Sequence, residues 1–453
     1  MIKKERFLFI FNFGSEIRQF SHSGVISTLL DDNKEVYISL RVQSDEIIET
    51  LDSRVKILPY YRKSVAFYIT LLKDVLDNQN ILSTTWKYMP KQKVFKNKRN
   101  EYIYKVLKKI FEISVKNRWL RYLLTNLELK ILFSLYNESW AKLLQDNKIT
   151  KIIVNVPNYN YTLLATAHKN KIPMLLAFHT NKDLYTLGRI SPFYNRIGVW
   201  NNDMKDELLK INPHINEEKI LIIGCSHFCE FSPKANAPTK IEKKLNLNDD
   251  EKLILYIAAA PFVVKNEHLY LKLLEEKLEI IGLEKYTIVV KINPMDKTKY
   301  WPSYISSKVK IVNSEWEWNE KEAFNYPKKS DIENFIYLLT RSTVCIGLPS
   351  TVVVEASLMQ VPFLNICFNY KNIETIYKKV SDMWNAPFYK SVIETNAAIG
   401  TFNPLEFENK LKELLINNEN ILTGQKKFIR KELTFQGYEI KDKSVHFIGE
   451  YNE

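Results

Sequence analysis

The feature that most constrains the fold is a series of short, predominantly apolar runs separated by segments with helical spacing. Residues 343–369 show the pattern most clearly. An apolar run ends at Gly347, a helical segment follows over 351–360, and a second apolar run begins after Pro362. Runs that are apolar at every position, rather than at alternate positions, are typical of strands buried on both faces of a parallel sheet. The stretch therefore predicts a β-α-β unit.

The same alternation occurs in two series along the chain. The first series consists of apolar runs at 7–13, 36–40, 55–58, 152–156, 174–178, 197–200 and 220–223. The second series starts with runs at 253–257, 287–292 and 309–312 and continues into the unit at 343–369. Between them, residues 230–250 hold Pro233 and Pro238 and few large apolar side chains. We predict an α/β fold with two doubly wound Rossmann-like domains. The domains cover 1–229 and 251–403, joined by a linker at 230–250, and a C-terminal helix and polar tail follow over 404–453.

A basic segment interrupts the first series. Residues 64–147 have mostly helical spacing, and residues 87–121 contain twelve Lys or Arg against two acids, Glu101 and Glu112, which is +10 of the chain's net +13. Aromatic residues are interleaved with this charge. A basic amphipathic helix with aromatic residues suits the surface of an anionic bilayer. The alternative is a solvated helical insertion whose apolar face packs on its own domain. We expect no nucleic-acid partner, because no nucleic-acid-binding motif accompanies the charge.

The sequence favours a cytoplasmic protein attached peripherally to the inner face of a membrane. No window of about 18 apolar residues is present, and the apolar run after Met1 is short for a signal peptide. Two of the four cysteines, Cys345 and Cys367, fall in predicted buried strands, as expected for reduced thiols. The others flank His227 as Cys225-Ser-His227-Phe-Cys229. This spacing matches no usual zinc knuckle, so we predict no metal site.

Candidate ligand-binding residues follow the predicted strands of the second domain. Ser350 and Thr351 begin a helix after Pro349, where hydroxyl and N–H groups suit a phosphate, and Glu355 lies one turn further. The alternative is that Ser350 caps the helix and Glu355 is a surface charge. The remaining candidates are Ala260 in a small-residue loop, Glu267 at a helix start, and Lys291 with Asn293 at the end of a strand. Lys291 suits a phosphate; otherwise it is an edge-strand lysine.

Two loops of the first domain carry candidates for the other substrate. Arg18 and His22 follow the first predicted strand, and His179, Asn181, Lys182 and Arg189 follow the strand at 174–178. Open α/β folds bind ligands at the carboxyl edge of the sheet, where both loops are expected. His22 and His179 are the candidate catalytic bases, each with a structural role as the alternative.

Several of these segments resemble bacterial surface-polysaccharide transferases of the GT-B fold. The loop from His179 to Arg189 resembles their W-D-N-x-x-S-K-G-R motif, with the Trp-Asp replaced, and Pro349-Ser350-Thr351-x-x-x-Glu355-Ala356 resembles their donor loop. Lys291-Ile-Asn293-Pro294 resembles a K/R-x-H-P motif that also occurs in bacterial sialyltransferases and polyol-phosphate transferases, with Asn293 in place of the usual His. The resemblance covers about residues 150–370 and implies two domains that face a cleft.

What the resemblance implies is sugar transfer from a nucleotide-activated donor to a lipid-linked or growing glycan acceptor at a membrane. Pro349, Ser350, Thr351, Glu355, Lys291, Asn293, Ala260 and Glu267 would bind the donor. Arg18, Asn181, Lys182 and Arg189 would line the acceptor side, with His179 or His22 as base. The nucleotide sugar would be a co-substrate, and no cofactor is expected. Backbone N–H groups at the start of the helix would stabilise the leaving phosphate, as a metal ion does in other transferases. The alternatives are a teichoic-acid-type CDP-polyol phosphotransferase and a non-catalytic scaffold that binds glycan or membrane.

Overall fold

The computed structural model describes residues 4–61, 101–102, 105–106, 109, 118–157, 160–186, 190–232, 240–246, 251–283, 285–296, 301, 304–319 and 324–450. Most of the basic segment 87–121 and all of Arg189 therefore lie outside the described residues. The chain forms two compact units. The first holds the described residues up to His227 together with those from Tyr438 onward, and the second holds Phe228–Gly437.

The first unit is built on a parallel sheet of seven strands in the order β3-β2-β1-β4-β5-β6-β7. Its strands are β1 (Arg6–Phe11), β2 (Glu35–Leu40), β3 (Lys56–Leu58), β4 (Lys151–Val154), β5 (Met174–Ala177), β6 (Arg196–Val199) and β7 (Ile220–Ile222). Its helices are α1 (Val25–Asp31), α2 (Asp45–Glu49), α3 (Arg118–Phe133), α4 (Glu138–Asp146), α5 (Tyr161–Lys169), α6 (Asp183–Thr186) and α7 (Asn202–Ile211). The inner strands are buried along most of their length, as β1 illustrates from Phe7 to Phe11. The outermost strands β3 and β7 are only partly buried.

The second unit is built on a parallel sheet of six strands in the order β11-β10-β8-β14-β15-β17. Its strands are β8 (Lys252–Ile257), β9 (Val264–Lys265), β10 (Tyr286–Lys291), β11 (Val309–Val312), β12 (Trp316–Asn319), β13 (Phe324–Pro327), β14 (Ser342–Gly347), β15 (Phe363–Ile366), β16 (Glu374–Thr375) and β17 (Ile399–Thr401). Its helices are α8 (Lys240–Leu245), α9 (His268–Ile281), α10 (Lys329–Arg341), α11 (Val352–Leu358), α12 (Ser381–Trp384), α13 (Lys390–Thr395), α14 (Pro404–Ile416) and α15 (Glu419–Glu432). The predicted fold of two parallel-sheet α/β units is confirmed.

Three segments differ from their predicted structures. The region of Trp316 and Trp318, which lies outside every predicted strand, forms the antiparallel pair β12–β13. Residues 16–30, whose spacing is that of a single helix, instead form a π-helix, Ile17–His22, followed after a left-handed Gly24 by α1. The stretch expected to be a polar tail forms α16 (Tyr438–Gly449). Its buried apolar side chains are Ile440, Phe447 and Ile448. They are too few to distinguish the helix from a polar tail in the sequence.

Helix α16 completes the core of the first unit. Ile440, Phe447 and Ile448 are buried. At the end of the helix, the buried Lys151 ammonium donates to the carbonyl oxygens of Ile448 and Gly449 at 3.3 and 2.9 Å. The chain therefore leaves the first unit after β7, forms the whole second unit, and returns to the first.

Candidate functional site

Both sheets have a point at which the order of the strands along the chain reverses. In the second unit the first strand, β8, lies between the second, β10, and the fourth, β14, and in the first unit β1 likewise lies between β2 and β4. Open α/β sheets bind ligands outside the carboxyl ends of the two strands at such a point. The loops after β8 and β14, and those after β1 and β4, are therefore the places to look for a site.

The loop after β8 is held by a buried carboxylate. Both oxygens of Glu267 accept the N–H of Ala259, and one also accepts the Tyr256 hydroxyl. Burial raises the pKa of Glu267 to about 8, and the negative charge of Asp296 adds to the effect. Glu267 was predicted to bind the donor directly. In the structure its polar contacts fix the backbone that leads to Ala260, another predicted donor residue.

The loop after β14 begins where two strands approach closely. Gly347 pairs with Ile257 of β8, and a Cβ atom at Gly347 would lie 2.8 Å from the Ile257 carbonyl oxygen. Glycine is thus required at this position, and the β8 and β14 loops are neighbours at the carboxyl edge. Pro349 is buried beyond the strand end, and Thr351, whose side chain is exposed, precedes α11.

Ser350 does not cap the helix. Thr351 occupies the N-cap position and makes no side-chain capping bond, whereas the Ser350 Oγ is shielded from solvent and has no hydrogen-bond partner among the described residues. A buried hydroxyl without a partner is costly, and a bound ligand would satisfy it. Glu355 is also buried, in the first turn of α11, so it is not the surface charge that the alternative assumed.

A buried network supports this loop from below. The Asn365 side chain of β15 donates to the Gly347 carbonyl oxygen at 3.3 Å and accepts the Tyr389 hydroxyl at 2.5 Å. The Tyr389 oxygen also bonds the backbone N–H of Ser350, and burial raises the pKa of this phenol. Sequence reasoning missed both residues, although the lone Asn in the apolar run FLNICF was a signal.

The predicted phosphate ligands of β10 have protein partners. The Lys291 ammonium is buried and paired with Asp331 of α10. Asp331 also accepts the N–H of Glu315 and the indole N–H of Trp316, at 2.8 and 2.9 Å. The Asn293 side chain accepts the N–H of Met295 at 3.0 Å and so closes a turn. A ligand role for Lys291 and Asn293 stays a prediction.

The loop after β1 is also held by a buried glutamate, as is the loop after β8 in the second unit. The buried Glu16 carboxylate accepts the N–H groups of Asn12 and Phe13, both at 3.0 Å, and burial raises its pKa to about 8. The π-helix follows at once and carries Arg18 and His22, of which His22 is buried. Such helices are rare and are frequent at functional sites.

His179 follows β5, and the structure places Cys225 and His227 beside it. One ring nitrogen of each histidine and the Cys225 Sγ all lie within 4.8 Å of one another. The residues after β7 arrive there because Gly224, with φ of +72°, turns the chain. Burial lowers the pKa of His179 to about 4 and that of His227 well below its usual value, and the positive charge of Arg18 acts in the same direction. Both imidazoles are neutral at pH 7.

The rest of this loop is half-buried. Burial lowers the pKa of Lys182 and raises that of the adjacent Asp183 to about 7. Arg18 and His179 are thus brought together, and Asn181 and Lys182 follow His179 in the same loop. Cys225, His227 and Asp183 were not predicted as site residues. Cys225 and His227 stood out in the sequence only through the local spacing Cys225-Ser-His227-Phe-Cys229, which gives no connection to His179.

Comparison with known proteins shows a shared fold and no shared sequence family. A glycosyltransferase from Rickettsia africae superposes with a TM-score of 0.55 at 12% identity, over 99% of this chain and 100% of that one. A UDP-N-acetylglucosamine 2-epimerase gives 0.55 at 11%, over 100% and 98%. S. aureus MnaA, in a structure with UDP, gives 0.53 at 13%, over 99% and 96%. No family model and no curated protein matches the chain.

These structures establish the fold as that of GT-B proteins, because they are covered over nearly their whole length. At this level of identity the similarity extends to the fold and not to the activity. The similar structures include both transferases and epimerases, and they do not favour the polyol-phosphate transferases or the sialyltransferases.

A transmembrane helix must be both long and apolar. Within the described part of the chain, no helix combines the length and the apolar character that a membrane span needs.

Proposed function

We propose that the chain is a glycosyltransferase that moves a sugar from a nucleotide-activated donor to a lipid-linked or growing surface-glycan acceptor. The second unit would bind the donor at the point where its strand order reverses. The observation that carries the proposal is the Ser350 hydroxyl, which is buried without a partner beside the loop that Glu267 fixes. The known proteins that share the fold support a nucleotide sugar as the ligand, since one of them was solved with UDP.

In this proposal the donor phosphate contacts the hydroxyls of Ser350 and Thr351. Backbone N–H groups at residues 351 and 352 would stabilise the charge that develops on the leaving phosphate, as fixed dipoles do without reorganisation. The buried Glu355 carboxylate would accept hydrogen bonds from ribose or sugar hydroxyls. Tyr389 and Asn365 would act as positioning residues, because they hold the backbone at Ser350 and Gly347.

The first unit would bind the acceptor at the loops that carry Arg18 and His179. A neutral imidazole is the form that can accept the proton of an acceptor hydroxyl, and burial keeps His179 in that form at pH 7. Asn181, Lys182 and Arg189 would contact the acceptor, and His22 is the second candidate base.

We place the protein at the cytoplasmic face of a membrane, bound through the segment 87–121 and the start of α3. The described part of α3 supports this location. Trp119, Leu123 and Leu127 are spaced one turn apart on the helix and are exposed at 66, 41 and 46%. Apolar side chains that share an exposed face beside a strongly basic segment match an interfacial helix. Co-sedimentation with anionic vesicles tests the location, and a protein that stays in the supernatant at low salt contradicts it.

The donor site is tested by measuring thermal stabilisation of the chain by UDP, GDP, CDP and CMP, followed by product analysis with the matching sugar nucleotide. The donor site is supported if one nucleotide stabilises the wild type and this stabilisation is lost in the double variant Ser350→Ala/Glu355→Gln. Transfer to a glycan acceptor supports the full proposal. Release of a 2-epimerised sugar would make the chain an epimerase, CDP with polyol-phosphate transfer would make it a phosphotransferase, and no response to any nucleotide would favour the non-catalytic scaffold.

A further inference from the structure

We infer that the first unit holds a site for a thiophilic divalent transition metal of the Zn²⁺ class, formed by His179, Cys225 and His227. The cluster combines two loops at the carboxyl edge of the sheet, one after β5 and one after β7. The three candidate ligand atoms lie within 4.8 Å of one another. The prediction of no metal site rested on the local spacing of Cys225, His227 and Cys229. His179 lies 46 residues before Cys225, so that spacing could not include it.

A second, independent observation concerns the Nδ1 atom of His179. It is shielded from solvent and has no hydrogen-bond partner among the described residues. A ring nitrogen that has lost its water and gained no partner costs free energy, and a structure normally satisfies such a group. A metal ion between His179 and the two residues after β7 would supply the missing partner.

The geometry of the other two groups also suits a shared ion. The Cys225 Sγ lies 3.0 Å from the His227 Nδ1, and the two imidazole centroids are 5.2 Å apart. Ligand atoms of a tetrahedral zinc site, at bond lengths of about 2.0 to 2.3 Å, are separated by about 3.5 Å. The Sγ–Nδ1 separation of 3.0 Å lies within about 0.5 Å of that value. The ring nitrogen of His179 lies within 4.8 Å of both atoms, which leaves it within reach of the same ion after adjustment of the side chains.

The donor set selects the class of metal. One thiolate and two imidazoles favour zinc and similar ions over magnesium and calcium, which prefer oxygen. Three protein ligands leave a fourth position, as in zinc sites that bind a further molecule. The Arg18 guanidinium is close enough to act on both imidazoles. Its charge opposes the cation and favours an anionic fourth ligand, such as a phosphate or carboxylate oxygen.

This inference goes beyond the proposed function and changes the role of one residue in it. A nitrogen that binds a metal has no lone pair left for a proton. With the metal bound, His179 would be a ligand and not the catalytic base.

The test needs no sugar donor, so its outcome is independent of the proposed function. The full-length protein is stripped with a chelator and titrated with Co²⁺, which reports a thiolate ligand by a charge-transfer band in the near ultraviolet and a tetrahedral site by intense visible bands. We expect saturation at one Co²⁺ per chain, displacement by Zn²⁺, and a higher melting temperature with Zn²⁺. Cys225→Ser should lose the charge-transfer band, and His179→Ala and His227→Ala should lose stoichiometric binding.

Cys229→Ser is the matched control, since Cys229 is also a buried thiol of this region and lies outside the cluster. It should bind Co²⁺ like the wild type. Circular dichroism checks that each variant folds. If His179→Ala does not fold, His179→Cys replaces it in the experiment, since cysteine retains a metal-binding side chain at this position. Absence of stoichiometric binding in the wild type, or a charge-transfer band that persists in Cys225→Ser, would overturn the inference and leave a thiol–imidazole hydrogen bond.

Discussion

Both carboxylate oxygens of Glu267 accept the backbone N–H of Ala259, at 3.0 and 2.9 Å. In the first unit the two oxygens of Glu16 accept the N–H groups of Asn12 and Phe13, one each. Each unit thus fixes the loop after its first strand with a buried acid from the segment that follows. This is the loop at the reversal of strand order, so the carboxylates determine where a ligand would meet the backbone.

The first prediction concerns the pH dependence of stability. Burial raises the pKa of Glu267 to about 8, whereas an unfolded glutamate has a pKa of about 4.3. The folded state therefore binds more protons between these values, and the stabilising contribution is complete below about pH 4 and is lost as the pH rises to about 8. Between pH 5 and 8 the unfolding free energy of the wild type should therefore fall more steeply than that of Glu267→Gln. The difference in slope should be at most about 1.4 kcal/mol per pH unit. Urea titrations at several pH values measure this, and parallel curves for the two proteins would contradict it.

The second prediction separates ligand binding from stability at Ser350. Its Oγ is buried without a partner among the described residues, so Ser350→Ala should leave the unfolding free energy unchanged or slightly raised. The same change should weaken nucleotide binding by about 1 kcal/mol, or about fivefold, because a hydrogen bond to the phosphate is lost.

Ser357 provides the matched control for this experiment. Its Oγ is also buried without a partner among the described residues, at the other end of α11. Ser357→Ala should leave both stability and nucleotide affinity near the wild-type values. Isothermal titration with the stabilising nucleotide gives the affinities, and equal affinities for Ser350→Ala and Ser357→Ala would remove Ser350 from the site.

The third prediction concerns the buried pair of Lys291 and Asp331. Removing one partner leaves the other charge buried, which costs about 3–5 kcal/mol. Asp331→Ala should be at least as destabilising as Lys291→Ala, since Asp331 also accepts the N–H groups of Glu315 and Trp316. Chemical denaturation of the two single variants and the double variant measures the coupling. Additive effects would contradict the prediction, because they would show that the two side chains are not energetically coupled.

The sequence predicts strands better than it predicts sites, for a physical reason. Predominantly apolar runs locate β1, β10 and β14 to within a residue or two, because burial on both faces of the sheet disfavours polar side chains at most positions. Strand β12 was missed because its WEWN segment is neither continuous nor purely apolar. The cluster of His179, Cys225 and His227 was missed because His179 lies 46 residues before Cys225, so no local spacing connects it with the other two. Strand order brings them together, and a sequence pattern does not reveal that order.

The fourth prediction concerns α16. Phe447 is buried, so Phe447→Ala should destabilise the first unit by about 3–5 kcal/mol through lost burial and a cavity. Tyr438 begins the same helix and is 76% exposed, and Tyr438→Ala should stay within about 0.5 kcal/mol of the wild type. Thermal unfolding followed by circular dichroism compares the two variants. Equal melting temperatures would show that α16 is dispensable to the core.

The position of α16 also sets the order in which the chain can fold as it is synthesised. Lys151 binds the carbonyl oxygens of residues 448 and 449, so the first unit lacks part of its core until those residues leave the ribosome. All of residues 228–437 emerge before them. Since domains fold as units during synthesis, the second unit can reach its native state while the first still exposes the apolar surface that α16 covers. The first unit, although its strands begin the sequence, is therefore completed after the second.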